Sequence, residues 1–95
     1  MRNYETIFIL KPTLEEEVRK ELINKFTSII SADGEVEKVE EWGNRKLAYE
    51  IEKFRDGYYV LVNFKAAPTL PMELERNYRI ADDVIRYMIV NLDDK

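Results

Sequence analysis

Residues 36–64, VEKVEEWGNRKLAYEIEKFRDGYYVLVNF, decide how this chain folds. They read as two strands folded back on each other, Val36 to Ile51 and Tyr58 to Phe64. In the second, Tyr58, Val60, Val62 and Phe64 share one face by period-two alternation, and Tyr59, Leu61 and Asn63 share the other. That other face carries no charge, so part of it is expected to meet something other than water. The turn is expected at Lys53-Phe54-Arg55-Asp56-Gly57, because Asp-Gly is a strong hairpin signal. Alternation slips at Trp42-Gly43-Asn44, where a glycine inside a strand predicts a bulge. Arg45 and Lys46 follow at once, beside Leu47, Ala48 and Tyr49. A bent hairpin with two cations and aromatic side chains reads as a surface for a partner, or as an edge hairpin blunted by charge.

Upstream, Arg2 to Leu10 reads as a strand in which Tyr4, Thr6, Phe8 and Leu10 alternate with Asn3, Glu5, Ile7 and Ile9. Both of its faces turn apolar toward the end, which predicts a central strand. Pro12 ends it, having no N–H for a ladder. A helix is expected from Thr13, with Thr13 and Glu16 as a capping box. Leu14, Val18, Leu22, Phe26, Ile29 and Ile30 would form its apolar stripe. Glu15 with Arg19, Glu16 with Lys20 and Glu21 with Lys25 would be i,i+4 pairs on the wet side, and Gly34 the left-handed terminator.

Downstream, Ala66-Ala67-Pro68 breaks the chain and Thr69 can cap a short second helix, with Pro71 in its first turn. Leu70, Leu74 and Tyr78 point one way along it. Ile80-Ala81-Asp82-Asp83 is a turn and Val84 to Leu92 a last strand, with Tyr87 and Ile89 on one face and Arg86, Met88 and Val90 on the other. Asp93-Asp94-Lys95 reads as a loose tail. The order is strand, helix, strand, strand, helix, strand. Two helices can cover only one sheet face, so residues 1–95 are expected to form a single α+β domain of ferredoxin-like βαββαβ type. It would be a four-stranded antiparallel sheet with both helices on one face.

Composition narrows the chemistry. With no Cys and no His among 95 residues, thiol nucleophiles, imidazole acid–base chemistry and thiolate or imidazole metal sites are excluded. No cofactor or metal is expected, and Glu15-Glu16-Glu17 reads as a helix start suited to the macrodipole, not as a catalytic carboxylate pair. No leader-like core and no apolar run long enough for a bilayer are seen, so the expected location is cytoplasmic. The net charge of −4 argues against unaided binding to nucleic acid. A local basic patch or a basic partner would remove that objection. Three readings compete: an RNA-recognition-motif domain, a regulatory or self-pairing module of the same fold, and an acylphosphatase-like enzyme. The segment Arg55 to Phe64 only loosely matches the first, and Tyr58 and Phe64 could not stack bases if they face the helices. No phosphate-cradling loop and no nucleophile–base pair supports the third. The residues alone lead to a ferredoxin-like interaction module and no enzyme.

Several stretches add a resemblance. Met1-Arg2-Asn3-Tyr4-Glu5, Gly43 through Ile51, Gly57-Tyr58-Tyr59, and Arg79-Ile80 with Val84 through Arg86 resemble the bacterial small-subunit ribosomal protein six family over nearly the whole chain. The opening and the Arg-Lys-Leu-Ala-Tyr run are its specific parts. The resemblance implies a structural component of the ribosome. Such a protein binds the central domain of small-subunit ribosomal RNA together with a small basic partner, small-subunit protein eighteen. By position it implies RNA or partner contacts at Arg2, Arg45, Lys46, Arg79 and Arg86, each of which could instead be a solvated cation. The topology is expected to gather Arg2, Arg79 and Arg86, and Arg86 to have no part in stability. The partner would dock on the hairpin and open sheet near Trp42, Tyr59 and Leu61. Tyr4, Tyr49 and Tyr58 read as core aromatics with wet hydroxyls.

Overall fold

The computed structural model describes residues 1–93. Its elements are β1 (Arg2–Leu10), α1 (Glu16–Asp33), β2 (Gly34–Ile51), β3 (Phe54–Ala66), α2 (Leu70–Ile80) and β4 (Val84–Asn91). The strands form one sheet in the order β2-β3-β1-β4, antiparallel at every pairing. This is the expected ferredoxin-like arrangement. β1 is central: Phe8 stands opposite Val60 on β3 and opposite Tyr87 on β4. Tyr4, Phe8, Leu10, Val60, Val62 and Phe64 fall on the side taken by both helices, which add Phe26, Ile30, Leu74 and Tyr78 to one core. Phe26 meets Phe8 and Tyr78 edge-on, with ring centroids 5.1 and 4.7 Å apart, a favoured geometry for aromatic quadrupoles.

One polar side chain lies fully inside this core. The Thr6 hydroxyl donates to the Met88 carbonyl at 2.9 Å and lies 3.0 Å from the Tyr78 hydroxyl. With its single proton committed to the carbonyl, Thr6 accepts from Tyr78, so both buried hydroxyls are satisfied. Burial pushes the Tyr78 phenol far above its usual range.

Several local expectations give way to packing. α1 begins at Glu16, with Glu15 at its cap and no side-chain cap hydrogen bond, so the Thr13–Glu16 box does not form. Leu14 is drawn onto the core before the helix starts. The buried stripe of α1 centres on Ile23, Phe26 and Ile30, while Val18 is 39% exposed. Leu14, Leu22, Phe26, Ile29 and Ile30 keep their expected places on the core; Ile23 joins them in place of Val18, and Arg19 turns inward over the Tyr58 ring at 4.1 Å. Arg19 therefore does not join the exposed pairs; Lys20–Glu16 does, at 3.3 Å. Gly34 is extended, not left-handed. It opens β2 opposite Ala66, and a Cβ there would collide with the Lys65 carbonyl oxygen. Thr69 stands at the cap of α2 without a side-chain bond.

The hairpin turns at Glu52-Lys53, four residues ahead of the Asp56-Gly57 pair on which it was expected. Glu52 and Lys53 both have positive φ, 49° and 71°, and Ile51 pairs with Phe54. This is a two-residue turn of the kind that matches strand twist. Asp56 and Gly57 lie inside β3, opposite Lys46 and Arg45. Gly57 is small for a different reason: a Cβ there would run into Cγ2 of Ile9 on β1. The bulge is where the sequence places it. Glu41 opposes Val60 and Gly43 opposes Tyr59, leaving Trp42 as the extra residue, and Gly43 has φ +82°. At the tail, Asp93 is not loose. Its carboxylate accepts from the Asn3 backbone N–H at 2.7 Å and from the Asn3 amide at 3.0 Å. Those bonds, with lesser help from Arg2, hold its pKa down. Asp94 and Lys95 lie outside the described residues.

Candidate RNA and partner surface

The face without helices is not evenly open. Its rows run Tyr59–Ile9–Arg86, Leu61–Ile7–Met88 and Asn63–Glu5–Val90 across β3, β1 and β4. Ile9 and Leu61 are only 6% and 7% exposed, although no helix covers them. Beyond Lys46 the ladder to β3 becomes irregular, and the end of β2 bends toward this face. Leu47 is buried, and Tyr49 accepts a hydrogen bond from the Arg86 guanidinium at 2.6 Å. Between the hairpin end and β4 lies an apolar groove of about 300 Å³, lined by Ile7, Ile9, Leu47, Ile51 and Met88 with Arg86 at its rim.

At the bulge, Trp42 stacks on Tyr59 with centroids 6.2 Å apart and planes 12° from parallel, and the Arg45 guanidinium lies 5.2 Å from the Trp42 centroid. Two of the three expected partner residues thus meet. Leu61 follows on the same face of β3, but it is nearly buried and presents little of itself. Met88, Val90 and Leu92 continue the apolar surface toward the β4 edge, at 51%, 37% and 42% exposure.

The five expected cations divide. Arg45, Lys46 and Arg86 share one end of the sheet, since Arg86 opposes Ile9 and Arg45 opposes Gly57. Arg2 stands at the other end of β1, seven residues from Ile9, or about 24 Å along an extended strand. Arg79 lies in the last turn of α2, in the helix layer. The topology therefore does not gather Arg2, Arg79 and Arg86: adjacent antiparallel strands place their chain starts at opposite ends. Among the described residues the ion pairs are Lys11–Asp83, Lys20–Glu16, Lys38–Glu40, Lys65–Glu37 and Arg76–Glu73, and none uses these five cations.

Two arrangements had no counterpart in the sequence reading. One is the Arg86–Tyr49 contact, 37 positions apart, for which no local pattern exists. The other runs from Arg19 over Tyr58, whose hydroxyl donates to Glu41 at 2.7 Å. Counting Ile23 into the helix stripe would have turned Arg19 toward the sheet and shown it. Burial, then the Glu41 carboxylate, raise the Tyr58 phenol pKa. Tyr58 and Phe64 face the helices, so the base-stacking pair of an RNA-recognition motif is not formed on this sheet. Among the described residues no group of three or more Asp or Glu could hold a metal ion, and no helix is long and apolar enough to cross a membrane.

Fold and surface together define a ferredoxin-like domain, with an apolar sheet face and, among the described residues, cations outside ion pairs at its margins. The family model for ribosomal protein S6 matches residues 3–91. Small ribosomal subunit protein bS6 of Alkaliphilus oremlandii is 58% identical over 98% of this chain and 99% of that protein. The bS6 of Clostridium novyi is 60% identical over 96% and 97%. A crystal structure of 30S ribosomal protein S6 from Thermotoga maritima superposes with a TM-score of 0.92 at 38% identity, covering 98% of this chain and 89% of that one. The chain belongs to the ribosomal protein S6 family, a family of the bacterial small ribosomal subunit whose members act in the cytoplasm.

Proposed function

We propose that this protein is a structural component of the small ribosomal subunit that binds the central domain of small-subunit ribosomal RNA jointly with small-subunit protein eighteen, a small basic partner. The observation that carries the reading is a division of labour on the surface. Among the described residues, a chain of net charge −4 keeps Arg2, Arg45, Lys46, Arg79 and Arg86 out of internal ion pairs. It also leaves an apolar face with a Trp42–Tyr59 stack outside its core. The cations meet phosphates at a few points, and the apolar face seats the partner, which supplies the positive charge this chain lacks. The role is one of binding, without catalysis.

The test is assembly. The protein is expected to co-sediment with small subunits. When it is omitted from a reconstitution, protein eighteen should be lost from the particle. Free sedimentation at the top of the gradient, with normal retention of protein eighteen in its absence, would contradict the reading.

A further inference from the structure

The bulge is gripped from both sides of the sheet. Tyr58 and Tyr59 are neighbours in β3, so their side chains point to opposite faces. On the open face Tyr59 carries Trp42. On the helix face the Tyr58 hydroxyl donates to Glu41 at 2.7 Å, and the Tyr58 ring is backed by Arg19 of α1 at 4.1 Å. Glu41 and Trp42 are consecutive: Glu41 is the last paired residue before the bulge, opposite Val60, and Trp42 is the unpaired residue. The Arg19 Nε is buried without a hydrogen-bond partner among the described residues, which a guanidinium tolerates when it packs over an aromatic ring. A bulge is a hinge point in a ladder, because the extra residue has no strand partner to fix it. Trp42 therefore takes its position from its stack on Tyr59 and from Glu41, the paired residue that leads into the bulge.

We infer that Tyr58 is a positioning residue: by holding Glu41 from the helix face, with Arg19 behind it, it sets the orientation in which Trp42 is presented to the partner on the opposite face. The inference rests on the docking surface proposed above. It adds that α1, far from that surface, controls it through a three-residue relay.

Trp42 is the single tryptophan of the chain, so its emission reports the relay directly. Tyr58→Phe keeps the ring under Arg19 and removes only the hydroxyl. In the full-length protein it should lower the steady-state anisotropy of Trp42, leave the fold intact by circular dichroism, and weaken binding to purified protein eighteen about tenfold, as loss of a hydrogen bond to a charged group would. Glu41→Gln keeps an acceptor for the phenol and should resemble the unmutated protein in anisotropy; Glu41→Ala should match Tyr58→Phe, with no further loss in the double variant. Trp42→Ala serves as the control for the docking surface itself. If it weakens partner binding while Tyr58→Phe changes neither anisotropy nor affinity, the relay is wrong and the docking surface stands. If Trp42→Ala leaves affinity unchanged, the docking surface is wrong, and the inference falls with it.

Discussion

The Arg86 guanidinium of β4 donates to the Tyr49 hydroxyl of the bent hairpin end at 2.6 Å and lies 5.6 Å from the centre of its ring. An arginine expected to contact RNA or a partner, with no part in stability, thus also fastens the hairpin end across the open face. Arg86→Ala should weaken the complex with RNA and protein eighteen by about 1–3 kcal/mol if the cation also meets a phosphate or base edge. It should speed amide hydrogen exchange at Leu47–Ile51. Tyr49→Phe keeps the cation and should reproduce the faster exchange with a smaller loss of binding. Unchanged exchange in both variants would show that the contact does not hold the hairpin.

The helix stripe makes a pair of contrasting predictions in urea unfolding. Phe26 is fully buried and Val18 is more than a third exposed. Phe26→Ala should cost about 3–5 kcal/mol. Val18→Ala should stay within about 0.5 kcal/mol. A large loss at Val18 would restore the stripe first read from the sequence.

The hairpin offers a substitution in each direction. Glu52 and Lys53 are held at positive φ without being glycine or asparagine. Replacing them together with Asn-Gly should stabilise the protein by about 0.5–1 kcal/mol. Gly57→Ala should destabilise it by about 1–3 kcal/mol, because the new methyl group meets Ile9. If instead Gly57→Ala were harmless, Asp56-Gly57 would not be inside a packed strand.

Alkaline pH should expose the buried phenol. Tyr78 binds its proton more tightly in the folded state than in the unfolded chain. Its contribution is complete below the usual phenol pKa of about 10 and fades as pH rises above that value. Tyr78→Phe should cost about 1 kcal/mol near neutrality through loss of the bond to Thr6. It should lose less stability than the unmutated protein between about pH 10 and 12. Tyr58 and Tyr87 shift in the same direction, so the slope is reduced and not abolished. Identical pH profiles would contradict the assignment.

Most of the fold could be read from alternation and punctuation. Tyr4 to Leu10 and Tyr58 to Phe64 give their faces by period two, and Pro12 and Pro68 mark breaks. The bulge was legible because Gly43 interrupts the pattern at the point where its backbone turns left-handed. Errors fell where a distant group overruled a local rule. Asp-Gly promised a turn, but Gly57 is small to admit Ile9 from another strand. Gly34 promised a helix terminator, but it is small to admit the Lys65 backbone. The partner surface was partly legible, since Trp42 and Tyr59 stand out as aromatic residues on a strand face without helices. The arginines could be recognised but not placed, because their separation depends on sheet order, and the closure by Tyr49 depends on how far the hairpin bends.

The most direct test of the account is RNA binding measured with and without the partner. The affinity of the protein for the central domain of small-subunit ribosomal RNA would be determined alone and with protein eighteen, at two salt concentrations. The account predicts weak binding alone and tight joint binding, with a coupling of about 1–3 kcal/mol and a steeper salt dependence for the joint complex. Tight, partner-independent binding by this acidic chain would contradict it.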